Sequence, residues 1–316
     1  MKILSLLAVA CAAQLAAREA SAQPVSPPKD SGAVDGEGAA QPKLGASNVP
    51  AWALRGLSVT NVVRVDTVTA MSSQQATPSN EQVTFLSGCY RLNDNFGVSA
   101  KWGFWHYAPN NGAQIDAYSN PAAYVNFAVP IDRHFSFAAI AGLSAPIGSG
   151  GGNSPDSNVY ASVSATKYAK AMLENSLLSP NEVGVPLGFD FGYREGRFTA
   201  QLEANMSVLA RVKGEAKTPD SARIPAWAAA MVGYFILPEL SAAAELRYTT
   251  SLTTTAAIAK DPSTRDNMSF AVGVRGYVRI ANNIAFRPGV SYGRGIEGRL
   301  NDLGYQYVQV DFPMVF

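Results

Sequence analysis

Past Ala17 this chain has no long apolar run, so no part of the remainder reads as a membrane-crossing helix. It also has almost no excess of charge. Lys and Arg number 25 against 24 Asp and Glu, and no basic stripe carries interleaved aromatics, so composition gives no reason to expect a nucleic-acid partner. Cysteine and histidine are scarce, with two of each. The sequence contains no Cys-x-x-Cys, no His-Glu-x-x-His and no phosphate-cradling P-loop, so neither a metal nor another cofactor has support.

What is present begins with a leader. Lys2 supplies a positive start, residues 3–17 are apolar and Ala-rich, and Ala20-Ser21-Ala22 fits small-x-small cleavage before Gln23. We read residues 1–22 as a secretory signal peptide for Sec export. A lipoprotein signal on Cys11 fits less well, because Ala8-Val9-Ala10 lacks the usual Leu and the apolar stretch continues past the cysteine. Cys89 is then the only exported cysteine, and we read it as a small apolar side chain. Residues 23–54 are expected to form a disordered periplasmic linker: 23–50 is rich in Pro, Gly, Ala and Ser and has few large apolar residues to bury.

From residue 55 to 316 a different pattern takes over. Dyad-periodic runs recur at 57–68, 82–90, 96–106, 122–129, 135–145, 183–193, 198–210, 226–235, 240–250, 270–280, 284–292 and 304–316. Each is about ten residues, the length of a tilted strand crossing a bilayer. The breaks alternate. Those at 91–95, 130–133, 194–197, 238–239 and 281–283 are short, whereas 211–223, 253–267 and above all 146–182 are long and polar. Short turns at one end and long loops at the other predict an all-β fold: an antiparallel transmembrane β-barrel of about twelve strands, ten to fourteen, with short turns facing the periplasm. Within 146–182, residues 159–178 lack Gly and Pro and place Tyr160, Val163, Tyr168, Met172 and Leu177 at roughly helical spacing. That predicts a helical extracellular loop, capping the mouth, folding inward or resting on the other loops.

An Arg or Lys facing lipid at mid-membrane costs about 2 to 4 kcal/mol, so charges mark the lumen. This sorting sends Phe198, Ala200, Leu202, Ala204, Met206 and Val208 outward and Thr199, Gln201, Glu203, Asn205 and Ser207 inward. The strands at 82–90 and 226–235 keep phase poorly. Outward aromatics gather as Trp102, Phe104, Tyr248, Phe270 and Tyr292 at the loop end, and Phe135, Tyr193, Phe312 and Phe316 at the turn end, as two interfacial belts require. The pore-lining candidates are Arg64, Asp66, Lys101, Asp190, Glu203, Glu245, Arg247, Arg275, Arg279, Arg287 and Asp311. Arg275, Arg279 and Arg287 form the densest positive group, which could bias a pore toward anions or pair with Asp311 and Glu245; pairing is the commoner use of such lumen networks.

The chain ends on Val308, Val310, Phe312, Met314 and Phe316, alternating on one face. This ending resembles the C-terminal signature of bacterial outer-membrane barrels, which implies recognition by the barrel-assembly machinery through Phe312 and Phe316, and contact with outer-membrane lipid and lipopolysaccharide. The overall length, the strand count and the stretches "AGLSAPIGSGGG" (141–152) and "VPLGFDFGYREGRF" (185–198) resemble the meta-pathway phenol-degradation transporter family. That resemblance implies transport of aromatic or other apolar solutes.

For catalysis, His134 falls in a turn and His106 is in phase with outward Phe104, and neither is followed by the His-x-Ser-Asn-Gly-Arg pattern of the outer-membrane phospholipases. No residue is assigned a catalytic role. The expectation is therefore a passive outer-membrane channel for a small-molecule solute. An outer-membrane lipid hydrolase, deacylase or protease is the alternative, with a structural or secretion-associated barrel as a third reading.

Overall fold

The computed structural model describes residues 49, 52–73, 79–109, 112, 114–214, 220–281 and 284–316. The expected signal peptide and most of the expected linker lie outside the described residues.

Twelve antiparallel strands close into a barrel: β1 Val62–Ser72, β2 Ser79–Arg91, β3 Phe96–Pro109, β4 Ala122–Pro130, β5 Phe135–Ser144, β6 Glu182–Glu195, β7 Phe198–Arg211, β8 Pro225–Leu237, β9 Leu240–Ser251, β10 Asn267–Gly276, β11 Gly289–Gly298 and β12 Tyr305–Val315. Each pairs with its neighbour in sequence. The sheet closes where β1 pairs with β12, from Val62 opposite Val315 to Ser72 opposite Tyr305. Closure leaves neither strand an open edge. Two short pieces extend the wall on the loop side, Ile115–Tyr118 along β3 and Ala222–Arg223 along β7.

Alternation sets the two faces. In β7, Phe198, Leu202, Met206 and Val208 are exposed while Thr199, Gln201, Glu203 and Asn205 are buried. The same holds at the closing strand, where Val308, Phe312 and Met314 point out and Tyr307, Gln309 and Asp311 point in. Exposed apolar side chains thus ring the barrel, a surface that suits lipid and not water.

The turn end is pinned by side-chain oxygens. Asn93 accepts from the backbone N–H groups of Asn95 and Phe96, both at 2.9 Å. Asp132 accepts from those of His134 at 2.7 Å and Phe135 at 2.8 Å, and these donors hold its carboxyl below the usual range. Gly196 takes φ 55°, which the Glu195–Phe198 turn requires. Aromatics form a belt at this end: Phe96 contacts Phe127 at 5.1 Å, Phe135 contacts Tyr193 at 5.1 Å, and Phe286 stacks on Phe312 at 5.9 Å between centroids. At the loop end Trp102 meets Tyr118 at 6.3 Å. Tyr248, expected in that belt, is instead buried, with its hydroxyl donating to Asp266.

Three expectations need correction. The first strand begins at Val62, not residue 57. Leu57, Ser58, Val59 and Thr60 are all buried at 2% exposure or less, so this stretch is enclosed on every side and cannot be a strand with one face in lipid. The runs expected at 270–280 and 284–292 are each interrupted, by Tyr277 and by Arg287 and Pro288. Tyr277 donates its N–H to Glu239 O at 2.8 Å, and Pro288, which lacks an N–H, accepts from Gly276 at 2.8 Å. The outlying pieces, Val278–Ala281 and Ile284–Phe286, form a hairpin, and the second also pairs with β12. Finally, helix α1, Ser157–Ala169, is shorter than the expected helical stretch. Asp156 caps its start, and Ala171 and Met172 take left-handed conformations just beyond its end.

Candidate functional site

The lumen is occupied from both ends. At the turn end, residues 52–60 lie inside the lumen before the chain enters β1. Leu57 and Val59 pack with Val62, Cys89, Ala128, Ala138, Ala285 and Val315, while Val49, Trp52 and Leu54 pack on Ala229, Met231 and Ala243 of β8 and β9. The linker expected to run to residue 54 therefore gives way earlier to a lumenal segment. Cys89 faces this segment and is buried.

Polar groups fix the segment at Trp52 and Arg55. The Trp52 N–H donates to Glu245, and Trp52 O accepts from Arg64 Nη2 at 2.6 Å and Gln309 Nε2 at 3.2 Å. The Arg275 guanidinium lies 5.7 Å from the Trp52 ring centroid. Arg55 Nη2 meets Glu203 at 2.7 Å, and Arg55 O accepts from Gln201 at 3.2 Å. No alternation of apolar and polar residues announces the contacts of Trp52 and Arg55; Trp52 in a Pro- and Gly-rich context is the one sequence signal.

From the loop end, the chain after α1 turns inward. Ala169, Ala171, Leu173, Leu177 and Leu178 are buried against Val68, Val83, Phe85 and Tyr305. Lys170 Nζ donates to Asp66 at 2.8 Å, Glu174 accepts from Lys101, and Trp105 Nε1 donates to Ser162 of α1 at 3.1 Å. The long loop therefore folds into the mouth. Asn120 holds its return leg, donating to Ser176 O at 3.2 Å and Ser179 O at 2.8 Å.

The structure brings ten of the eleven expected pore residues to the interior. Asp311 receives Arg64 at 2.8 Å and Arg275, and Arg275 Nη1 also donates to Arg287 O at 2.8 Å. Arg287 stacks over Tyr277 at 4.8 Å. Arg247 donates to Glu245 at 2.8 Å and to the Tyr307 hydroxyl. Asp190 lies directly across the ladder from Glu203, both fully buried. Asp66 accepts from Lys170 and, at 2.8 Å, from Gln309. Arg279 is the exception: it sits in the turn-side hairpin and is exposed, so the expected three-arginine cluster reduces to Arg275 and Arg287. Arg55, Lys170 and Glu174 complete the network and were not among the expected residues, because they lie on the lumenal segment and the loop instead of on strands.

Between the two inserts remain two cavities of about 40 and 100 Å³. Both are lined by Ala53, Arg64, Ser87, Lys101, Leu173 and Glu174, which places them side by side. The larger also reaches Arg55, Tyr124, Asn126, Asn205 and Trp227. The histidines lie elsewhere. His106 pairs with Asp116 at 2.9 Å on the exposed loop-side extension, and His134 contacts Arg194 O at 3.0 Å in a turn.

No protein-family model and no curated protein matches the sequence. Among solved structures, the chain is similar to a COG4313 outer membrane channel from Pseudomonas putida F1, with a TM-score of 0.57 and 14% identity over 82% of this chain and 96% of that one. It is also similar to the NanC porin, with a TM-score of 0.50 and 10% identity over 80% of this chain and 98% of that one. At such identities the likeness is one of fold, and that fold is the outer-membrane β-barrel.

Proposed function

We propose that this chain is a passive outer-membrane channel for small solutes, aromatic compounds among them. The observation that carries this reading is the pair of adjoining cavities left between the lumenal segment and the inward loop of a closed barrel. Eight strands leave an interior filled by side chains and sixteen leave an open aqueous channel, so twelve strands with two inserts make a narrow path. Solutes would be filtered by the lining, without covalent chemistry. The structural likeness to outer-membrane channels supports the same reading.

Liposome swelling with neutral solutes of rising size tests it. The intact protein should admit glycine-sized solutes and exclude tetrasaccharides. Absence of swelling with every solute, in both the intact protein and a variant lacking residues 49–60, would overturn the channel reading. The assembly role of Phe312 and Phe316 belongs to the same proposal. Phe316→Ala should lower the yield of heat-modifiable, folded barrel in membranes several-fold without changing the conductance of the molecules that do fold.

A further inference from the structure

We propose that the lumenal cavity is a binding site for small monocarboxylates with an aromatic or apolar body; this rests on the channel reading above. The argument starts from which halves of the ion pairs reach the cavity. Arg55 and Arg64 keep side-chain exposures of 22% and 15%, whereas their partners Glu203 and Asp311 are at 0%. The carboxylates are fully buried beneath the arginines, and the guanidiniums keep partial exposure. Lys101 adds a third cation at 22% exposure, and Glu174, at 19%, is the only carboxylate among the described residues lining the larger cavity. A cavity whose net lining is positive, enclosed by low-dielectric walls, concentrates anions.

The apolar half of the ligand is specified by what lies beside those cations. The Arg55 guanidinium sits 5.9 Å from the Trp227 ring centroid, and Leu54, Tyr124 and Leu173 line the same space. A guanidinium next to an indole face suits a ligand carrying a carboxylate on a flat apolar body: the charge meets a fork of N–H donors and the ring meets aromatic surface. Simple cations find no matching site there, since Glu174 is already engaged by Lys101.

Proteoliposome uptake of benzoate, benzyl alcohol and benzylammonium by the full chain tests this, with an Arg64→Gln/Lys101→Gln double variant and Arg279→Gln as an external control. Benzoate should enter about threefold faster than benzylammonium, or more. The double variant should bring that ratio close to one, and Arg279→Gln should leave it unchanged. Equal entry of all three solutes into wild-type liposomes overturns the site and leaves the channel standing. Entry of none, small neutral solutes included, removes the channel and the site together. If the double variant does not fold, the wild-type reversal potential in a sodium benzoate gradient decides: anion selectivity supports the site, and cation selectivity or none overturns it.

Discussion

Arg275 and Arg279 lie four residues apart in one alternating run, yet among the described residues only Arg275 reaches a carboxylate. Arg275 donates to Asp311, which is fully buried, while Arg279 is exposed in the turn-side hairpin. Removing one partner of a buried pair leaves the other charge poorly compensated, a loss of about 3 to 5 kcal/mol, though Arg64 still reaches Asp311 and moderates it. Arg275→Met should therefore lower the temperature at which the barrel loses its folded electrophoretic band, whereas Arg279→Met should change stability by less than about 0.5 kcal/mol. A second residue-scale test lies in the loop cleft, of about 250 Å³, lined by Lys167, Glu182, Arg223 and Asp220. Burial, aided by the Arg223 charge, pushes the Lys167 amine down to about 7. Because the folded amine then binds fewer protons than the unfolded one above that pH, this group favours the folded loop increasingly as pH rises from about 7 into the ordinary lysine range. In acylation trace-labelling, Lys167 should gain reactivity between pH 6 and 8 and then level off, while a reference lysine peptide keeps gaining toward pH 10.

At the scale of elements, β2 and β8 explain why their sequences keep phase poorly. Alternation in a barrel strand reports the contrast between lipid and water, and it fades where the lumen is filled with protein. Val83 and Phe85 point inward onto the buried loop residues, and Ala229 and Met231 point inward onto Val49, Trp52 and Leu54. Apolar residues on both faces of a strand were thus a sign of occupied lumen, legible only in retrospect. The twelve strands themselves were legible because charges and short turns recur with the right periods. The lumenal segment was not, since Leu57 and Val59 alternate with Ser58 and Thr60 as a strand would, and only burial on all sides separates the two cases. Gly233 gives this segment room: a Cβ there would stand 2.7 Å from Val49 Cβ and 2.8 Å from Thr199 Oγ1. Gly233→Leu should displace Val49 and its neighbours, raising proteolytic release of the segment and increasing conductance several-fold.

On the scale of the whole molecule, the barrel and its contents have separate physical origins. Strand pairing closed between β1 and β12 makes the wall, and an exposed apolar band with aromatic belts holds it in lipid. Ion pairs do not stabilise by number alone, because desolvation offsets much of their attraction. Here they instead attach two inserts to the wall: Arg55 to Glu203, and Lys170 and Glu174 to Asp66 and Lys101. In the proposed channel, the pore is what these inserts leave open. Its width is set by the segment before β1 and the loop after α1, more than by strand number.

That dependence is tested most directly by single-channel conductance in planar bilayers, comparing the intact protein with a variant lacking residues 49–60. An intact protein of small conductance and a variant with conductance raised several-fold is the predicted outcome. Equal conductances in the two proteins, with both folded, would contradict the claim that the lumenal segment sets the path.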